Sequence, residues 1–351
     1  MKHDNGNVAS VGIDLGDRFA YYVCLDEAGE VTDRGQVGMT ISAMKKHWVS
    51  VASTRIAIEA GAQSRWVSRV LRELGHEVIV ANPRQVKLIS ASQSKSDPND
   101  ALLLARLARV DPMLLAPVEH RSDSEQIDLT IIRARALLVE ERVKLMHAVG
   151  GIAKTFGIRL PRGTSERYIE RAMQALPGPL AQALAGLFGA MLAITEQIAA
   201  YDRMIEEAAR RYPATERLRE VPGVGTLTAL SFQLTIGNAG RFEHSRDVGS
   251  YLGLRPRQQQ SGARDPQLGI TKAGDRYTRK LLVQSAHCVL RKYAPDTALK
   301  EWGLKLCERG GKNAKKRAVV AVARKLAVVL HRLWVSGERY VAFPVTQATG
   351  A

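Results

Sequence analysis

Residues Val8–Gly16 read V-A-S-V-G-I-D-L-G. An apolar, β-branched run that stops on an acid and a glycine reads as a buried strand ending at Asp14. Working outward, Phe19–Asp26 and Glu30–Val37 read as two more strands, joined by the turn E-A-G-E with Gly29. Ile41–Val49 reads as a helix and Thr54–Glu59 (T-R-I-A-I-E) as a fourth strand. Gln63–Leu74 reads as a helix that ends at Gly75, a residue suited to a helix C-terminus. His76–Ala81 (H-E-V-I-V-A) is the fifth strand, and helical segments follow from Pro83.

A three-strand meander followed by helix, strand, helix, strand and helix is the order of a ribonuclease H-like α/β fold. That fold serves several chemistries, so it does not decide function by itself. Asp123–Val149 reads as a long helix, with Ile127, Ile131, Ala134, Leu138 and Leu145 near heptad spacing and Glu141 breaking the seam. Leu187, Met191, Ile194, Ile198, Tyr201, Ile205 and Ala208 keep a cleaner 4-3 rhythm. Two such helices predict a helical hairpin or an oligomerising coiled coil, and they fit equally well as helices packed within their own domain. The expected class is therefore α/β followed by α. A ribonuclease H-like domain spans 1–115, a helical coiled-coil middle 116–212 and a mainly helical domain 213–340.

Charge separates these parts. The chain has 351 residues and a net charge of +16, which points to a polyanion partner. Residues 1–100 hold 12 Lys/Arg and 12 Asp/Glu, whereas residues 251–292 hold 9 basic and 2 acidic side chains and residues 301–340 hold 10 and 3. Polyanion binding is thus expected in the C-terminal third. Three cysteines, Cys24, Cys288 and Cys307, have no pairing rhythm and argue for a reducing compartment. The start, M-K-H-D-N-G-N-V-A-S, is polar and does not read as a signal peptide. Ala318–Leu330, taken as the longest apolar stretch, is interrupted by Arg324 and Lys325 and is too short to span a bilayer. The expectation is a cytoplasmic protein without a membrane partner.

Four carboxylates in the neutral N-terminal part form a candidate metal site. Asp14 ends the first strand and Glu59 the fourth, and Asp97 and Asp100 lie three apart in K-S-D-P-N-D-A. In a ribonuclease H-like topology the first and fourth strands are neighbours and the last helix packs on them, so acids spread over 86 positions would converge. Such charges repel unless compensated, and Mg²⁺ suits an all-oxygen site. Two Mg²⁺ ions about 4 Å apart would clamp the attacking and leaving oxygens of a phosphodiester. Taken singly, each acid has a plainer role: Asp14 as a strand-end cap, Glu59 as a solvated side chain, Asp97 as an N-cap before Pro98.

Leu218–Leu234 reads L-R-E-V-P-G-V-G-T-L-T-A-L-S-F-Q-L. The V-P-G-V-G core predicts a helix-hairpin-helix turn in which Gly223 and Gly225 free backbone N–H groups for a phosphate; a plain corner between helices is the simpler reading. Arg255–Lys280 (R-P-R-Q-Q-Q-S-G-A-R-D-P-Q-L-G-I-T-K-A-G-D-R-Y-T-R-K) reads as a basic loop that enters a helix near Asp275. Arg257, Arg264, Lys272, Arg276, Arg279 and Lys280 are candidate phosphate contacts, as are Lys315 and Lys316 at the basic start of a helix over 312–334. On composition, Ser261 is an inert loop serine, and Tyr277 is as good a nucleophile as it is.

Together these segments resemble the DEDD-type transposases of bacterial insertion sequences, a family that includes the DNA invertase Piv, over roughly Val8–Trp334. The N-terminal part is similar to the Holliday-junction resolvase RuvC, with the DEDD acids on Asp14, Glu59, Asp97 and Asp100. The resemblance implies that Ser261, in its Q-S-G context, is the catalytic serine. It also implies a serine–DNA covalent intermediate, a composite site within a dimer or tetramer, and guidance by a structured RNA. Rival readings use the same residues differently. A RuvC-like endonuclease would hydrolyse junctions with water and the same four acids. An actin-like kinase would use V-G-I-D-L-G-D-R-F-A as a phosphate loop, but the chain has no second D-x-G loop or adenine-binding glycine pair. A non-enzymatic nucleic-acid-binding protein would leave the acids idle.

Overall fold

The computed structural model describes residues 8–83, 97–161, 163, 166–258, 268–311 and 313–343. The chain forms two compact units, Met1–His120 and Arg121–Ala351.

The first unit contains β1 (Ser10–Leu15), β2 (Phe19–Leu25), β3 (Val31–Gly38), α1 (Ile41–Trp48), β4 (Arg55–Glu59), α2 (Ser64–Glu73), β5 (Glu77–Ala81) and α3 (Asp97–Val110). The sheet order is β3-β2-β1-β4-β5. The first three strands pair antiparallel as a meander, and β1–β4 and β4–β5 pair parallel. This is the mixed sheet expected from the sequence. Gly75, at φ +90°, follows α2 in the left-handed conformation that suits glycine.

Strand alternation divides the core. Val11, Ile13, Ile56, Ile58 and Val80 pack with Met44 and Trp48 of α1 and with Val67, Val70 and Leu71 of α2. Ala57, Ile79 and Ala81 pack with Leu104, Leu107 and Ala108 of α3, and Val23 and Leu25 with Ala101 and Ala105. A helix can lie close to a sheet only where side chains are small. Gly12, Ala57, Ala101 and Ala105 supply that seam.

The second unit contains α4 (Asp123–Thr155), α5 (Glu166–Gln174), α6 (Gly178–Ala209), α7 (Ala214–Arg219), α8 (Thr226–Ile236), α9 (Asp247–Tyr251), α10 (Arg276–Val289), α11 (Ala298–Glu308) and α12 (Ala314–Ser336). A capping box starts α4: the Ser122 hydroxyl accepts from the Glu125 N–H, and the Glu125 carboxylate accepts from the Ser122 N–H at 2.8 Å. α4 and α6 pack along each other. Arg135 bonds Asp202 and Arg142 bonds Thr195, so the pairing number falls on one helix as it rises on the other; the two run antiparallel. Met191, Ile198, Ile205 and Ala208 of the predicted α6 seam are buried. On α4 the heptad reading holds in part, since Ile131 and Leu145 pack against the core. Ile127 is 62% exposed, while Leu129 and Ile132 are buried. Next to Ile127, Asp128 is fully buried where it accepts from the Tyr212 hydroxyl at 2.7 Å and from Arg211.

The apolar-stretch reading also changes. Among the described residues, Gly178–Ala209 and not Ala318–Leu330 holds the longest apolar stretch, and it is long and apolar enough to cross a bilayer by length and composition. α8 is the buried centre of the unit, with Leu230 and Leu234 packed toward α4 and α6 and Phe232 toward α12. Its polar groups are satisfied internally: Ser231 and Thr235 meet Thr278 of α10 at 2.8 and 2.7 Å, and Gln233 donates to Thr215 at 2.9 Å.

Candidate active site

The acids of the first unit are positioned by backbone register. Gly12 lies opposite Ala57 and Ile13 opposite Ile58 on the parallel pair β1–β4. One step further, Asp14 and Glu59 are level with each other. Asp14 shares the α3-facing side of β1 with Ser10 and Gly12, and Glu59 shares that side of β4 with Ala57. Both acids are half-buried.

The path of α3 brings in the other two. The Ser10 hydroxyl donates to the Ala105 carbonyl at 3.0 Å. At Gly12 a Cβ would stand 2.0 Å from the Ala101 carbonyl oxygen and 2.4 Å from the Ala105 nitrogen. Two residues along the strand, about 6.6 Å, therefore match four residues back along the helix, about 6 Å. The helix runs antiparallel to β1, and the next step sets its first turn, Asp97 to Asp100, at the level of Asp14. Asp97 is exposed and Asp100 half-buried. Gly16, just past Asp14, has no room for a side chain either; a Cβ there would meet the Phe19 carbonyl oxygen at 2.3 Å.

Backbone placement thus brings the four acids to one end of one sheet face. The side chains are not gathered further: among the described residues no three His, Cys, Asp or Glu stand as a ready ligand set. The donor chemistry, carboxylate oxygen throughout, still suits a hard divalent ion. The sequence reading gave Gly12 no role, although a glycine inside a buried strand is itself a signal of close backbone approach.

In the second unit, α7 and α8 flank V-P-G-V-G. Gly223 has φ +83°, and a Cβ there would meet the Ser285 carbonyl at 2.8 Å, so this glycine serves packing against α10. Gly225 is extended, precedes α8 and faces open space. The basic segment begins as a two-armed ribbon. Pro256 bridges Ile270, the Arg257 N–H donates to the Gly269 carbonyl at 3.0 Å, and the Thr271 N–H to the Arg255 carbonyl at 2.9 Å. Ser261 and Arg264 lie outside the described residues, in the stretch these arms flank in sequence.

Gly253 and Gly274, at φ +70° and +72°, let the ends of the ribbon interlock, since a Cβ on either would come within 2.2 Å of backbone. Lys272, exposed and at φ +56°, sits in the same knot. Arg257, Arg276, Lys280, Lys315 and Lys316 are exposed, and Lys280 stands 4.0 Å from Glu140. Arg279 differs from its reading as a phosphate contact. Its guanidinium donates to the carbonyls of Leu252 at 3.0 Å and Ala273 at 2.6 Å, so it ties the ribbon to α10. Burial lowers its pKa. Tyr277 is likewise engaged. It packs beside Leu129, Leu230 and Leu234, and burial, the largest cause, raises its hydroxyl pKa, outweighing Arg135, which bonds it and lowers it. That setting opposes the ionisation a phenolic nucleophile needs.

Comparison with known proteins follows the same division. A DEDD-type IS110 transposase model matches residues 11–155, and a model described as transposase IS116/IS110/IS902 family matches residues 215–300. The chain is 29% identical over 346 residues to the transposase for insertion sequence element IS1111A of Coxiella burnetii, covering 95% of this chain and 92% of that protein. It is 31% identical over 305 residues to the putative transposase y4pF/y4sB of Sinorhizobium fredii, covering 85% and 77%. It is 25% identical over 307 residues to the pilin gene-inverting protein of Moraxella lacunata, covering 84% of each.

Proposed function

The chain belongs to the IS116/IS110/IS902 family of transposases, and from that premise we propose that it cuts and joins DNA at the ends of an insertion sequence by Mg²⁺-dependent phosphoryl transfer. The observation that carries the reading is the register at one end of the first unit. Two strand-end acids are level on adjacent parallel strands and face the helix whose first turn holds Asp97 and Asp100.

Asp14, Glu59, Asp97 and Asp100 would hold two Mg²⁺ ions, which when bound neutralise phosphate charge and activate the attacking oxygen. Ser261 is the proposed nucleophile. Its Oγ forms a bond to phosphorus as the bridging P–O bond of the strand breaks; the serine loses its proton and the departing deoxyribose oxygen gains one. The hydroxyl at the second strand end then attacks the serine–phosphate ester; it loses its proton as its oxygen bonds to phosphorus, the P–Oγ bond breaks, and the serine oxygen regains a proton. Exposed Arg257, Lys272, Arg276, Lys280, Lys315 and Lys316 would neutralise backbone phosphates, with Arg264 and the N–H groups from Gly225 into the start of α8 adding to them.

A structured guide RNA, a composite site shared between protomers and a cytoplasmic setting complete the proposal. The three free cysteines suit a reducing compartment. The most apolar stretch of α6 is mostly unburied, which favours association with another copy.

The test is substitution of the acids. Asp14→Asn, Glu59→Gln and Asp100→Asn should each abolish strand transfer in Mg²⁺ and leave DNA binding largely intact. Full recombination by any of the three would remove that residue from the site. A nicked product with no protein adduct in denaturing gels would instead favour hydrolysis by water.

A further inference from the structure

The second unit contains a basic cleft that none of these roles uses. Arg246 and Asp247 come from the start of α9, Arg255 from the ribbon, Trp302 from α11, and Arg324 and Lys325 from α12. It is an open cleft of about 430 Å³, within the range of sites that hold a small ligand or one unit of a polymer. Four cations face a single carboxylate, Asp247. None of the four forms an ion pair among the described residues.

Three of the four cations, Arg255, Arg324 and Lys325, are held in place. The Lys325 ammonium lies 4.5 Å from the centre of the Trp302 ring, a cation–π contact that limits its swing. Arg255 donates to Gln258 at 2.6 Å. The Arg324 stem crosses α9 at Gly249, where a Cβ would stand 2.9 Å from its Cγ and 3.5 Å from its Cδ. Gly249 is helical and its φ is not positive, so flexibility does not explain the glycine; the room it leaves for Arg324 does.

Unpaired cations converging on one concavity repel one another until an anion enters, and guanidinium forks match phosphate oxygens. We propose that this cleft binds a backbone phosphate of the DNA strand on which the protein acts, so that Arg246, Arg255, Arg324 and Lys325 position that strand. The proposal rests on the transposase reading above. Arg255 gives the link to the chemistry, because it both lines the cleft and stands six residues before Ser261 on one arm of the ribbon.

The experiment measures binding of the full chain to a fluorescein-labelled DNA duplex of mixed sequence between about 50 and 200 mM salt. The double variant Arg246→Gln/Arg324→Gln should bind about ten-fold or more weakly, and the slope of log affinity against log salt should fall by about 2. Gly249→Ala keeps every charge but pushes the Arg324 stem aside; it should weaken binding in the same direction. Arg203→Gln/Arg210→Gln, an exposed loss of two charges at the C-terminal end of α6, controls for net charge and should change little. Equal behaviour of the double variant and the control, or wild-type binding by Gly249→Ala, overturns the cleft while leaving the transposase reading intact. Loss of affinity for an RNA duplex alone overturns the assignment to DNA. Failure of the wild-type protein to bind DNA at all overturns the transposase reading itself.

Discussion

Replacing Gly12 by alanine inserts one methyl group into the seam that aligns the acids. The new Cβ would stand 2.0 Å from the Ala101 carbonyl oxygen and 2.4 Å from the Ala105 nitrogen, against 3.4 Å for ordinary contact and 3.0 Å as the practical limit. The obstructing atoms are backbone, so no rotamer change and no smaller residue on α3 relieves the clash. The helix must withdraw from β1 by about 1.0–1.4 Å, the difference between those limits and the 2.0 Å found.

Two costs follow. Overpacking of this kind destabilises by about 1–3 kcal/mol, with about 1 kcal/mol more if the Ser10–Ala105 hydrogen bond stretches away. A fall in Tm of about 3–12 °C corresponds to that range. The second cost is geometric. Asp100 precedes Ala101, so the withdrawal carries the first turn of α3 away from Asp14 and Glu59, and a misplacement of about 1 Å can cost about 100-fold in rate. The assay pairs thermal unfolding with strand transfer and DNA binding measured well below the lowered Tm. The expected result is a folded, DNA-binding protein with strand transfer reduced about 100-fold. Wild-type transfer with an unchanged Tm would show that the α3–β1 seam neither limits packing nor sets the site.

Three further outcomes are expected. Ser261→Ala should abolish strand transfer with folding and DNA binding unchanged, whereas Tyr277→Phe should retain measurable transfer; mass spectrometry of the digested adduct would refute the serine assignment by finding the nucleotide on Tyr277. Asp128→Asn removes the acceptor charge shared by Arg211 and Tyr212 and should cost about 1–3 kcal/mol in urea unfolding; an unchanged midpoint would mean the buried pair contributes nothing net. Burial first and Asp33 second push the Cys24 thiol from 9.0 up to about 12, and the Tyr22 hydroxyl from 10.0 up to about 12. Raised folded-state values favour the protonated forms, so their contribution is complete below about pH 9 and is lost as pH rises toward 12. Cys24→Ala should flatten the first part of that alkaline decline, and an unaltered pH profile of unfolding would refute the thiol's part in it.

Most strands and helices of the first unit were legible because one-sided burial leaves a periodic trace. Val11 and Ile13 alternate with Ser10 and Gly12, and Ile56 and Ile58 flank Ala57, so strand, face and order can be read along the chain. Asp14 and Glu59 were legible because acids at the ends of such runs have no place in a core. The level that Asp97 and Asp100 reach relative to them depends on how far α3 slides along β1, which is settled by backbone contact at Gly12. The same limit applies to α4: heptad spacing marked a helix correctly, but the burial of Asp128 in place of Ile127 comes with its contacts to Arg211 and Tyr212, more than 80 residues away. Arg279 read as one more surface cation because composition cannot distinguish a guanidinium facing solvent from one spent on the carbonyls of Leu252 and Ala273. The basic cleft left no continuous motif, since Arg246, Arg255, Trp302 and Arg324 come from four separate segments. The sequence alone determined element type, order and charge distribution, which follow from local periodicity and composition. Tertiary structure decided which polar side chains converge and which are already occupied, because distances between remote segments depend on packing.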